Sequence, residues 1–342
     1  MAGRRGSLIF LYHLYHPLYF KSSGEPDIGS PFFVFSNPFN PFLQSRILRR
    51  NFGQTNEEIL FGRESSILLR NESDRTVEAT DNGQISDIHQ ITTLIVNLYM
   101  IGKPKESGAA DWVLVDTGIG RFANKIIGAA EERFGVGSKP KAIILTHGHF
   151  DHVGTVIELA DHWEVPVFAH SLELPYLTGR KDYPPADPTV GGGLMAGISP
   201  LYPNEGIDLG GRIEPLPSDG SVPSLPEWRW IHTPGHTPGH VSLFREKDRT
   251  VIAGDAFITV KQESALSVMT QTREIHGPPA YFTTDWQQAR ESVRKLAALN
   301  LATAYTGHGQ PMFGRDLAGQ LETLARDFDR LAIPDQGRYV HQ

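Results

Sequence analysis

The stretch Thr146-His147-Gly148-His149-Phe150-Asp151-His152 constrains this chain more than any other. It follows Ile143-Ile144-Leu145, a short apolar run that reads as a strand. Four side chains able to bind a metal ion, His147, His149, Asp151 and His152, fall within six residues. On a turn, side chains two apart can diverge enough to serve two separate ions. Imidazole suits zinc, and a carboxylate can take a second, harder position. A lone His-x-His is often a solvated surface. The full pattern directly after a strand is not.

Three further apolar runs end in the same way. Trp228-Arg229-Trp230-Ile231 leads to His236, Val251-Ile252-Ala253 to Asp255, and Ala304-Tyr305 to His308. Strand ends in α/β proteins line the crevice where ligands bind. Four such ends can therefore bring His147, His149, Asp151, His152, His236, Asp255 and His308 to one place. Each of the four ends runs into glycine-containing sequence, with glycines at 148, 235, 254, 307 and 309 that permit close approach of backbone. The chain has no cysteine, so thiolate ligands, disulfides and a cysteine nucleophile are excluded. Any metal must be held by histidine and carboxylate.

The stretch Thr146–Gly154 resembles the signature of the metallo-β-lactamase superfamily. The resemblance continues through Leu114-Val115-Asp116-Thr117-Gly118, Thr233-Pro234-Gly235-His236-Thr237, Gly254-Asp255 and Gly307-His308, in the family's order. It spans roughly residues 85 to 312 and implies a four-layer αββα sandwich. It also implies roles. His147, His149 and His236 would bind a first divalent ion, Asp151, His152 and His308 a second, and Asp255 would bridge them. Zinc is the expected metal, with iron and manganese known in the superfamily. A hydroxide between the ions would be the nucleophile, because paired ions bring the pKa of bound water near neutrality. Asp151 is the candidate catalytic residue, orienting that hydroxide and carrying its proton to the leaving group.

The rest of the chain reads as alternating strands and helices, which favours a layered α/β architecture. Strands are expected at Ile91–Ile101, Trp112–Val115, Lys141–Leu145, Val165–Ala169, Trp228–His232, Thr250–Ala253 and Ala302–Tyr305. Helices are expected at Arg121–Phe134, Val153–Trp163, Thr284–Leu299 and Leu317–Leu331. Residues 1–84 read as a partly irregular N-terminal extension and 85–342 as the hydrolase domain. Within the latter, 171–226 is rich in proline and reads as a mostly irregular insertion that shapes the substrate pocket. Gly191–Gly193 reads as a hinge. The run Leu8–Phe20 is too short to span a membrane and loosely resembles the apolar part of a signal segment. The expected location is cytoplasmic, with export left open.

Other residues are weighed against plainer roles. Asp116 ends a strand and is either the carboxylate that receives a ligand histidine's second N–H or a turn residue. His240, four residues past His236, is by resemblance an outer-shell or structural residue. His232 reads as packing, His170 as a hydrogen-bonded loop histidine, and His89, His162 and His276 as surface or satisfied core residues. Phe257, Tyr176 and Tyr183, with Leu194, Met195 and Tyr202, either line an apolar pocket or pack the insertion onto the core.

The formal charge of -7 argues against non-specific nucleic-acid binding and leaves a small molecule as the expected partner. Oligomeric state is open. An ester-type substrate, lactone or thioester, suits an apolar pocket beside a hydroxide. A phosphodiesterase or β-lactamase of the same fold is the alternative. A di-iron redox protein is the alternative of another class, although no flavin signature accompanies the ligand set.

Overall fold

Successive side chains along each central strand go to different cores, and this alternation sets the layering of the computed structural model. The structure describes residues 87–104, 110–190, 194–261 and 273–340. One sheet runs β1 (Ile88–Thr93), β2 (Val96–Ile101), β3 (Val113–Val115), β4 (Ile143–Ile144), β5 (Val167–Ala169) and β6 (Ile213–Pro215), in chain order. Its first three strands pair antiparallel and the rest parallel. The second sheet holds β7 (Ser221–Val222), β8 (Leu225–His232), β9 (Val241–Arg245), β10 (Thr250–Ile252), β11 (Thr303–Tyr305) and β12 (Met312–Phe313). Only β10 and β11 are parallel there, as their helical connection requires.

Tyr99, Val113, Val115 and Ile144 of the first sheet meet Trp228, Leu243, Ile252 and Tyr305 of the second in a shared core. Their neighbours Leu98, Met100, Leu114 and Ile143 face the opposite way. There they bury against Ile126 and Phe134 of α1 (Ala123–Phe134) and Leu159 and Trp163 of α2 (Val156–Trp163). Phe244, Val251 and Ala304 face away from the shared core in the other sheet. They pack with residues of the two C-terminal helices. The short helices Leu174–Leu177 (α3) and Leu194–Ile198 (α4) come first in the chain, so these two are α5 (Trp286–Ala297) and α6 (Gly314–Arg326). The result is a four-layer αββα sandwich. A buried guanidinium also joins the sheets: Arg245, at the end of β9, donates to Asp87, just before β1, and to Asp248.

The structure departs from the sequence reading in several places. The stretch Ile91–Ile101 is not one strand but part of the hairpin of β1 and β2, which turns at Leu94 and Ile95, and the short strand β12 was not expected. Strand β9 was not anticipated. All five of its residues are buried, so it lacks the alternation that marks a half-exposed strand. The stretch 171–226 is not wholly irregular, because it supplies the edge strands β6 and β7. Edge strands tolerate short length, charge and proline, here Glu214 and Pro215, which hide them. The last helix ends at Arg326, and Phe328–Leu331 forms a separate turn, α7. The expectations for residues 1–84 and Gly191–Gly193 lie outside the described residues. No helix among the described residues is long and apolar enough to cross a membrane.

Leu243 is fully buried between the sheets. Leu243→Ala should lower unfolding free energy by roughly 2–5 kcal/mol, as large-to-small core changes do. Chemical denaturation measures it, and a loss well under 1 kcal/mol would contradict the shared core.

Candidate metal centre

The centre forms where loops from both sheets meet. The turn after β4 carries His147, His149, Asp151 and His152, the β8–β9 loop carries His236, the turn after β10 carries Asp255, and the turn after β11 carries His308. Three overlapping groups have ligand atoms within 4.8 Å of one another. They are His147, His149 and His236; His147, His152 and Asp255; and Asp151, His152 and His308. All but Asp151 are buried, and the Asp151 side chain is 14% exposed, so it sits at the open edge. Asp255 is central. Its Oδ2 lies 3.5 Å from His152 Nε2, 3.5 Å from His236 Nε2 and 3.3 Å from His308 Nε2.

Hydrogen bonds around the rings fix which nitrogen faces inward. Asp116 Oδ1 accepts from the Thr146 N–H at 2.8 Å, and its Oδ2 accepts from the Thr146 hydroxyl at 2.7 Å. His152 Nδ1–H also donates to Asp116 Oδ2, at 2.9 Å. With its proton committed, the Thr146 hydroxyl must accept from His147 Nδ1–H, at 3.1 Å. In the same way Thr283 gives its proton to Pro279 O and accepts from His236 Nδ1–H at 3.2 Å. His308 Nδ1–H donates to Ile95 O at 2.9 Å. Four histidines thus turn Nε2 to the centre. His149 differs, pointing Nδ1 to within 2.9 Å of His236 Nε2.

His240 is placed otherwise. Its Nε2 accepts from the Asp255 backbone N–H at 2.9 Å, and its Nδ1–H donates to Thr233. Both ring nitrogens are spent on holding the backbone beside Asp255.

The charge states follow the geometry. Burial, then neighbouring imidazoles, hold His147 well below the usual range and bring His149 to about 3. Burial and His149 lower His236 likewise. These three are neutral ligands-in-waiting at pH 7. Burial also pulls on His152 and His308, but the carboxylates, Asp255 foremost, outweigh it and raise both. Burial would lift Asp255, yet His308 and His152 outweigh it and keep its carboxyl well below the carboxylate range. At Asp151 burial prevails and the pKa rises.

The residues fit metal ions. His147 Nε2, His152 Nε2 and Asp255 Oδ1 are buried with no hydrogen-bond partner, a costly condition that a cation relieves. A Cβ on Gly307 would lie 2.0 Å from Asp255 Oδ1 and 2.8 Å from His152 Cε1, so only glycine leaves this carboxylate room. Imidazole and carboxylate without thiolate suit zinc, iron or manganese.

The proposed pocket walls are corrected in part. Phe257 is fully buried in the core behind β10, with no surface to offer a substrate. Tyr183 packs edge-on against His149 and gives its hydroxyl to Glu173, and Tyr176 stacks on Tyr183. The border near Asp151 is instead aromatic in another way. Phe282 lies 4.7 Å from the His149 ring, and partly exposed Tyr202 faces Phe150 and Phe282. Sequence reasoning missed Phe282, Thr283 and Glu173. No metal-motif spacing marks them. Glu173 left one trace, as a lone acid among leucines in Leu172-Glu173-Leu174.

The family model of the metallo-beta-lactamase superfamily matches residues 91–308. The chain belongs to this superfamily, and its His/Asp cluster could bind metal. It is 52% identical over 238 residues to the probable metallo-hydrolase YflN of Bacillus subtilis (strain 168), covering 70% of this chain and 89% of that protein. To the probable metallo-hydrolase YybB of the same organism it is 32% identical over 200 residues, covering 58% and 76%. The crystal structure of the BLEG-1 B3 metallo-beta-lactamase resembles it at a TM-score of 0.48 and 24% identity, covering 68% of this chain and 95% of that one.

Asp116 has positive φ, 59°, which asparagine adopts readily. Asp116→Asn should therefore keep the backbone and remove only an acceptor from His152 and Thr146. Metal affinity, measured by chelator competition, should fall about 10–100-fold, as for other partners of ligand histidines. Wild-type affinity would show that Asp116 does not orient them.

Proposed function

We propose that this protein is a hydrolase holding two divalent metal ions, zinc in the first instance, and that it opens an ester-type bond, lactone or thioester. The observation that carries this reading is the pair of donor groups on either side of Asp255, with Asp151 at the open edge. His147, His149 and His236 would hold one ion. Asp151, His152 and His308 would hold the other, and Asp255 would serve both. Bound there, the ions would supply a nucleophile at neutral pH and polarise the bond under attack.

The protein's own groups do the rest. The partners Thr146, Asp116, Thr283 and Ile95 keep the four Nε2 atoms directed inward without reorganisation. Asp151 is the one carboxylate of the set with solvent access, so it can hold a proton and hand it to the leaving atom. Phe150, Tyr202 and Phe282 border that edge and suit a neutral acyl group. None of these three carries a positive charge to grip a phosphodiester, which favours the ester reading over the phosphodiesterase.

Metal analysis of the purified protein should return two ions per chain, and chelation should abolish turnover that added zinc restores. Against a panel of lactones, thioesters, a chromogenic cephalosporin and bis-p-nitrophenyl phosphate, kcat/KM should be highest for a lactone or thioester. Tenfold preference for either of the last two would overturn the substrate class. Asp151→Asn should lower kcat roughly 10²–10⁴-fold, the range for losing a positioned proton carrier. Unchanged turnover with both ions retained would remove Asp151 from that role.

A further inference from the structure

Glu173 is wholly buried, although it belongs to the stretch after β5 and outside every metal motif. Its carboxylate receives four hydrogen bonds. Oε2 accepts from the Gly148 N–H at 3.0 Å and from the Tyr183 hydroxyl. Oε1 accepts from the Thr237 hydroxyl at 2.9 Å and from the Gly239 N–H at 2.7 Å. Gly148 lies between His147 and His149, and Thr237 follows His236. One carboxylate therefore clips together the two loops that carry the three-histidine group.

We propose that Glu173 is a positioning residue that sets the spacing of His147 and His149 against His236. The proposal rests on the reading above that these three hold one ion. Burying a carboxylate costs several kcal/mol unless it is compensated. Here none of the four donors is a charged side chain, and together they fill the lone-pair positions of both oxygens. Steric fit is equally tight. A Cβ on Gly148 would come within 2.5 Å of the Tyr183 hydroxyl, and one on Gly239 within 2.8 Å of Glu173 itself. Both loops have glycine where the clip needs space.

The amide of glutamine cannot replace this carboxylate. Its one oxygen can serve two of the donors, and its NH₂ then faces the other two. Thr237 and Tyr183 can turn their hydroxyls to accept, but a backbone N–H cannot. Either Gly239 loses its acceptor or Gly148 keeps only the Tyr183 hydroxyl oxygen, 3.1 Å away, and one loop is held less firmly. None of the hydrogen bonds of Glu173 goes to His152, His308 or Asp151, so the second group should be spared.

The test compares wild-type protein, Glu173→Gln and a stability control, Leu321→Ala in α6, which is buried in the core between the second sheet and its helices. Cobalt(II) titration is followed by chelator competition and by the visible absorption that reports ligand geometry. Glu173→Gln should weaken one of the two ions about 10–100-fold, as losses around ligand histidines do, and alter its spectrum. The other ion and the Leu321→Ala protein should titrate like wild type. Wild-type affinities and spectra in Glu173→Gln would overturn the proposal alone. Equal losses in Leu321→Ala would also overturn it, since any loosening of the fold would then suffice. Wild-type protein that takes up no cobalt would overturn the reading of the site itself, a different failure. If Glu173→Gln does not fold, Thr237→Val removes a single donor and should shift the same ion in the same direction.

Discussion

A carboxylate ringed by imidazoles organises this molecule. Asp255 is buried to 2% exposure, and three Nε2 atoms stand 3.3–3.5 Å from one of its oxygens. An ionised group in that position is tolerable only if other charge or hydrogen bonding compensates it. The compensation comes from residues far apart in sequence, His308 and His152, so both sheets must deliver their loops to the same spot. The first sheet brings His152 through β4. The second brings His236, Asp255 and His308 through β8, β10 and β11. Packing in the shared core is therefore a condition for the centre as well as for stability.

The same logic explains the polar network behind the rings. In His147, His152, His236 and His308 the inward nitrogen is paired, across the ring, with an outward proton that needs an acceptor. Asp116 serves two histidines through Thr146 and directly, which is economical because one strand end then orients half the motif. The β1–β2 turn contributes Ile95 O to His308, and Asn97 and Tyr99 of β2 hold the carbonyl of Thr306. Thus the hairpin opposite the centre anchors a loop of the other sheet. His240 belongs to this layer too, through the N–H of Asp255. Its hydrogen bonds run on through Thr233 and Ser242 to the carbonyl of Ala253, closing a loop around the turn that presents the carboxylate.

Much of this was legible in the sequence because the centre is local in character. Each ligand stands at the end of an apolar strand, beside glycine, and the residue types are those that bind hard or borderline ions. The helices α1, α2 and α5 were legible from amphipathic periodicity, since each buries one face only. What stayed hidden depended on long-range packing. Strand β9 is buried on both faces yet carries Ser242 and Arg245, so it shows no alternation and looks like no particular element. Strands β6 and β7 are short, polar edges. Phe257 was plausible as a pocket wall because it follows Asp255 by two residues, but the turn sends it into the core. Thr283 and Phe282 approach His236 and His149 only because α5 folds back onto the second sheet.

Glu173 is the most instructive of the hidden residues. The stretch 171–226 can be viewed as an addition to a finished metal centre, free to vary with substrate. Its first turn contradicts that view. Through Glu173 and Tyr183 it reaches beneath the histidine loops, while through Tyr202 it reaches the border of Asp151. One segment thus supports the histidine group and borders the open edge at Asp151. Changes that reshape the border while moving the segment's beginning would be felt at the histidine group. Changes confined to Tyr202 and its neighbours would leave Glu173 seated, because its four partners are fixed by the core and not by the rim. The carboxylate therefore separates the part of the insertion that is free to diverge from the part that the centre cannot do without.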